Sequence, residues 1–256
     1  MVPRFAGLAE AVSASAKTEI VTGTRPRALT LEEIDRLVVR YADAAERCRK
    51  AGFDGVQIHA ANGYLMSQFL TPYTNRRTDA YGGSVEGRTR LLREVIRAIK
   101  TRLGADYPVI VKMNGSDYLP LRPGLGTDEL AEIAVILERA GADAIEVSVG
   151  HYESGFPMVR GTFARCLRNM VQGSMSHLGF FRRWFFRLFW PVLAVVFDLI
   201  WTPREGFNLR YTRVFKAKVS IPVICVGGFL TRAAMEAAIR NGECDIVSAG
   251  RAFIAD

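Results

Sequence analysis

From Thr30 onward, two spacings of apolar residues alternate along the chain. Ile34, Leu37, Val38 and Tyr41 recur at helical spacing through about Lys50, behind a Thr30–Glu33 pair with capping-box spacing. A short apolar run, Gly55–His59, follows and predicts a strand. Leu92, Val95, Ile96 and Ile99 then mark a helix from about Val85 to Arg102, and Pro108–Met113 the next strand. Thr127 is expected to cap a helix carrying Leu130, Ile133, Ala134 and Leu137. Ala144–Val149, Pro222–Val226 and Asp245–Ala249 are the third, fourth and fifth strands, with a helix over Thr231–Arg240 between the last two. Before Thr30 the pattern offers at most one weak strand, Glu19–Thr22, so residues 1–29 are expected to be weakly structured. Near-continuous apolar strands separated by helices imply an α/β fold whose parallel sheet is covered on its outer face.

The polar residues that break this pattern are candidates for chemistry. His59 closes the first strand and Asn62 lies three residues on, so both side chains can converge on one ligand oxygen. Tyr64 follows closely enough to act on the opposite side of the same small molecule, an arrangement suited to polarising and protonating a carbonyl compound. The blander alternative is a histidine satisfied within a polar turn. Lys112 is a charge in an otherwise apolar strand and needs a partner, for which Glu146 on the neighbouring strand is one choice. Glycine turns follow the last two strands, Gly227-Gly228 and Gly250-Arg251. In (β/α)8 enzymes the loops after the final two strands commonly bind phosphate through close backbone N–H groups, and an arginine adds a bidentate cation. A tight turn with no ligand is the other reading of each.

The run from Gly55 continues as Gln68-Phe-Leu-Thr-Pro72 and Asn75-Arg-Arg-Thr-Asp-Ala-Tyr-Gly-Gly-Ser84. This segment resembles the Old Yellow Enzyme family, FMN-dependent ene-reductases built on a (β/α)8 TIM barrel. Gly87, where the family usually carries asparagine before the arginine, is a departure that touches a helix start. The resemblance covers about Gly23 to Asp256, with residues 165–205 matching poorly. It implies a flavin that takes hydride from NAD(P)H and passes it from N5 to the β-carbon of an enone-type substrate, the two reactants taking turns over one flavin face. It also implies that His59 and Asn62 bind the carbonyl oxygen and that Tyr64 protonates the α-carbon. Lys112 would lie beside the flavin N1/C2 carbonyl edge, where the family usually has arginine. Gly227, Gly228, Gly250 and Arg251 would hold the FMN phosphate. The five strands would be the family's fourth to eighth, an incomplete barrel of residues 30–256. A fragment or truncated gene product is the expectation, with a non-catalytic remnant or interaction protein as the alternative to an enzyme.

Composition adds limits. The 256 residues are 49% hydrophobic, enough for one large α/β domain. Cys48, Cys166, Cys225 and Cys244 show no CxxC spacing, which predicts reduced thiols in a cytoplasmic protein without a zinc or iron–sulfur site. Arg4 and Glu10 interrupt the N-terminal apolar residues, so no secretory signal is expected. No GxGxxG follows a strand, and Gly124-Leu-Gly126 leads into a capped helix, so no Rossmann nicotinamide domain is expected. Between Arg160 and Lys218 there are eleven Lys/Arg and two acids, a surplus of nine, whereas the whole chain has a surplus of eight. Everything else is therefore near neutral (8 − 9 = −1), which argues against a nucleic-acid role. The basic, aromatic stretch 180–201 is too broken by Arg187, Pro191 and Asp198 to read as a membrane span. It suggests a lid, a homo-oligomer contact or a peripheral membrane contact.

Overall fold

A computed structural model describes residues 10–20, 23–119, 123–154, 157–158, 160, 180–250, 252 and 254. The main sheet is parallel, with strands β3 (Val56–Ala60), β4 (Val109–Asn114), β5 (Ala144–Ser148), β6 (Val223–Val226) and β7 (Ile246–Ser248) in sequential order. Helices α1 (Leu31–Lys50), α2 (Leu65–Leu70), α3 (Val85–Leu103), α4 (Thr127–Arg139), α5 (Phe180–Ile200), α6 (Leu209–Lys216) and α7 (Arg232–Arg240) accompany it. Each strand pairs with the one before it through an intervening helical crossover, as parallel pairing requires.

The two faces of the sheet differ. Ile58, Ala60, Val109, Val111, Met113, Ile145 and Val147 are buried in one hydrophobic core with the inner sides of α3 and α4. Gln57 and His59, which alternate with the buried residues of β3, face the opposite side and are exposed. Parallel register places His59 opposite Lys112, Lys112 opposite Glu146, Glu146 opposite Ile224, and Ile224 opposite Ile246. One row of side chains thus crosses the inner face of all five strands.

Most helix starts follow the sequence. Thr30 and Glu33 form the reciprocal capping box of α1, and Thr231 accepts from Ala234 N at the start of α7. Thr127 is the exception: it is the first helical residue of α4, behind Gly126 as N-cap, and no side chain caps that end. A glycine there takes the extended conformation a cap needs without contributing an acceptor.

The expected strand at Glu19–Thr22 is replaced, at Glu19 and Ile20, by a turn in which Gly23 N donates to Glu19 O and Glu19 N to Thr24 O; Val21 and Thr22 lie outside the described residues. Two short strands, β1 (Val12–Ser13) and β2 (Arg27–Ala28), pair instead. Ser13 Oγ donates to Gln68 at 2.8 Å, and Arg77 donates to the carbonyls of Ala14 and Leu29, which ties this segment to the loop after β3. Cys225 and Cys244 are buried free thiols and Cys48 is half-buried; Cys166 lies outside the described residues.

Candidate active site

The turn after β3 is held by its backbone conformation. Asn62 (φ 59°) and Gly63 (φ 83°) are consecutive left-handed residues. At Gly63 a Cβ would come within 2.7 Å of His151 Nε2 and 2.5 Å of the Tyr152 ring, so glycine is required for space as well as conformation. Asn62 N donates to Asn114 Oδ1 at 3.0 Å, and Tyr152 N donates to Asn62 O at 3.2 Å. The Asn62 carboxamide donates to Val149 O at 3.0 Å and Gly150 O at 3.1 Å. Both of its amide hydrogens are therefore engaged by main-chain carbonyls. In this arrangement Asn62 clamps the turn to the end of β5, and the expected pairing of Asn62 with His59 as twin oxygen donors is not what the geometry displays.

His59 and Tyr64 do come together. Their ring centroids lie 4.9 Å apart with planes inclined at 46°, and Tyr64 is 49% exposed. The His59 pKa is lowered from the ordinary imidazole range, first by partial desolvation at the rim and then by the neighbouring Lys112 ammonium, while Glu146 pulls weakly the other way. The neutral imidazole this favours offers one N–H donor and one acceptor.

Lys112 has the partner its strand position demands. Its ammonium lies 2.7 Å from Glu146 Oε1, and Gln57 Nε2 donates to the other Glu146 oxygen at 3.1 Å. Lys112 also lines a cleft of about 540 Å3 that runs from Asn62 and Ser148 to Gly227, Gly228 and Gly250. The ion pair and the ligand-facing position thus coexist in one side chain.

At the far end of the cleft, Gly228 has φ 70°, and a Cβ there would approach Arg204 O to 2.5 Å. At Gly227 a Cβ would meet the Asn208 side chain at 3.1 Å, whereas Gly250 opens onto free space. Arg251 lies outside the described residues. Asn208 is buried beside this turn, donates to Val226 O at 2.5 Å and leaves its Oδ1 without a hydrogen-bond partner. Neither it nor the cleft residues Ser148, Arg160 and Phe207 were singled out in the sequence. Ser148, a hydroxyl ending an apolar strand, carried a usable signal; Asn208 and Phe207 sit in the unrecognised helix start before α6 and carried none.

The cleft fits a flavin mononucleotide. Its volume lies within the range of drug-sized ligand sites, a cation lines it, and its far end is a glycine cradle in which a Cβ at Gly227 or Gly228 would meet neighbouring atoms.

Comparison with known proteins agrees with this arrangement. Residues 6–174 match the model of the NADH:flavin oxidoreductase / NADH oxidase family. The chain is 34% identical to an NADH oxidase of Thermoanaerobacter brockii over 234 residues, covering 91% of this chain and 30% of that protein. It is 30% identical over 268 residues to a cinnamate reductase of Clostridium sporogenes, covering all of this chain and 34% of the relative. Among solved structures, the old yellow enzyme homologue from Zymomonas mobilis superposes with a TM-score of 0.63 at 26% identity, over 97% of this chain and 59% of that one. The chain therefore spans about a third of the length of these two curated relatives. With its parallel sheet, its His59–Tyr64 rim and its glycine-lined cleft, this chain belongs to the NADH:flavin oxidoreductase / NADH oxidase family.

Proposed function

We propose that this protein is an FMN-dependent, NAD(P)H-driven reductase of the C=C bond of α,β-unsaturated carbonyl compounds. The observation that carries the reading is the single cleft joining the Asn62–Lys112 end to the Gly227–Gly228 and Gly250 end, with the His59–Tyr64 pair on the adjoining rim. Bound in that cleft, FMN would supply the hydride, taken from NAD(P)H and delivered from N5 to the β-carbon.

The chain's own residues supply binding and proton movement. His59, neutral at pH 7, donates its N–H to the substrate carbonyl oxygen and stabilises the enolate charge that develops there. Tyr64, exposed and with its ring tilted against that of His59, gives its hydroxyl proton to the α-carbon. Asn62 contributes by holding the turn that carries both. Lys112 presents positive charge to the cleft while Glu146 and Gln57 fix its position. Gly227, Gly228 and Gly250, with Arg251 beyond the described residues, would receive the phosphate.

The purified protein is expected to be yellow and to bleach under NAD(P)H. Tyr64→Phe should slow re-oxidation by an enone about 10²- to 10⁴-fold while leaving flavin reduction unchanged. Equal slowing of both halves would remove Tyr64 from the proton's path. A second reading, a non-catalytic remnant or interaction protein whose barrel a partner completes, draws on the exposed inner-face residues Gln57 and His59. A colourless protein that cannot be reconstituted with FMN would favour it. We place the protein in the cytoplasm, touching membranes peripherally through residues 180–201 and self-associating as a homo-oligomer; its mass by light scattering decides the last point.

A further inference from the structure

Helix α5 has an outer face that the fold does not use. Eleven large apolar side chains between Phe180 and Ile200 are exposed, and Phe181, Leu188, Val192, Val195 and Leu199 among them recur at helical spacing on one side. On the other side Trp190 and Ala194 are buried. At 1.5 Å per residue the helix is roughly 30 Å long, so this patch exceeds the scattered apolar exposure of an ordinary surface. Among the described residues no helix is long and apolar enough to cross a membrane.

One end of this helix is fixed at the cleft. Trp201 is buried with its ring edge-on to Tyr118, centroids 5.0 Å apart. The Arg160 guanidinium lies 5.5 Å from the Trp201 ring centre and 4.1 Å from that of Phe207. Arg160, Phe207 and Pro203, two residues beyond Trp201, all line the cleft. Leu230, an apolar side chain 70% exposed, also lines the cleft.

Charge selects what covers the face. Helix α5 itself carries Arg182, Arg183 and Arg187 against Asp198, a surplus of two positive charges, so two copies meeting there would set like charge against like. An acidic phospholipid surface brings the opposite sign to a helix that mixes aromatic, aliphatic and arginine residues. We propose that α5 seats the protein on an anionic lipid surface with the cleft mouth at that surface, and that the site takes a lipid-dissolved, hydrocarbon-tailed α,β-unsaturated carbonyl compound. The docking stands by itself; the substrate class rests on the reductase reading above.

All three tryptophans of the chain, Trp184, Trp190 and Trp201, lie in this segment, and Trp184 alone of them is exposed. Intrinsic fluorescence of the full chain therefore reports on it directly. With vesicles containing phosphatidylglycerol the emission should shift to the blue and the protein should co-sediment, about tenfold more weakly with neutral vesicles or at high salt. Trp184→Phe should lose the shift yet still sediment. Docking is overturned if acidic vesicles cause neither shift nor sedimentation, or if the shift survives in Trp184→Phe. A shift produced by protein concentration alone assigns the face to a second copy and also overturns it. For the substrate class, Leu188→Ser/Val192→Ser/Leu199→Ser should lose about tenfold in rate on a long-chain enone held in vesicles and keep its rate on a short, water-dissolved one. Equal effects on the two enones overturn delivery from lipid. Turnover of neither, with docking intact, overturns the reductase reading and the substrate class but not the docking.

Discussion

Gly228 carries two constraints at one residue, a left-handed backbone and a carbonyl within 2.5 Å of where a Cβ would stand. Alanine there must strain or displace the turn, at a cost on the order of 1–3 kcal/mol. Gly228→Ala should therefore lower the melting temperature and weaken FMN binding together, measurable by thermal unfolding and flavin titration. Gly250→Ala, where no atom lies within 4 Å, provides the contrast and should be milder. Glycines of this kind are visible in the sequence as tight turns after a strand, whereas the close approach of Arg204 O to Gly228 is not. Lys112 stood out as a charge in an apolar strand, and His59 and Tyr64 as polar groups gathered at a strand's end. The engagement of Asn62 was not legible, since its partners are main-chain carbonyls 87 and 88 residues away, and main-chain atoms leave no trace in side-chain identity.

Among elements, the helices with paired start signals were the readable ones. In α1, Thr30 accepts from Glu33 N at 3.2 Å, and Glu33 Oε2 accepts from Thr30 N at 2.9 Å while also meeting Arg27. Thr30→Ala should cost about 1 kcal/mol, lowering the melting temperature by roughly 2–4 °C in differential scanning calorimetry. Strand positions were set within a residue or two by apolar runs bounded by loops. Two helices escaped notice for physical reasons. α2 is six residues long and almost wholly buried, so it shows no amphipathic alternation. α6 begins at Asn208, whose side chain is spent on Val226 O and gives no capping signature. The short pairing of β1 with β2 was hidden because two residues per strand establish no period.

Across the whole molecule, the parallel sheet followed from strands alternating with helices, and its relation to Old Yellow Enzyme barrels from the motif after β3. Three-dimensional placement added that Asn62, the paired lysine and the glycine cradle line one cleft. The row His59–Lys112–Glu146 has a consequence of its own, because strand register gives it a direction: ammonium next to imidazole, carboxylate one strand farther. Reversing Lys112 and Glu146 together would preserve their attraction while presenting His59 with an anion instead of a cation. As built, the folded imidazole gives up its proton more readily than the unfolded one, whose ordinary pKa is 6.5, so acidification through that value should erode the fold. In the transposed protein the imidazole should titrate at higher pH by NMR, and that acid sensitivity should shrink or change sign. The response of this sheet to acid would then be set first by the burial of one imidazole and next by the order in which two neighbouring strands carry their charges.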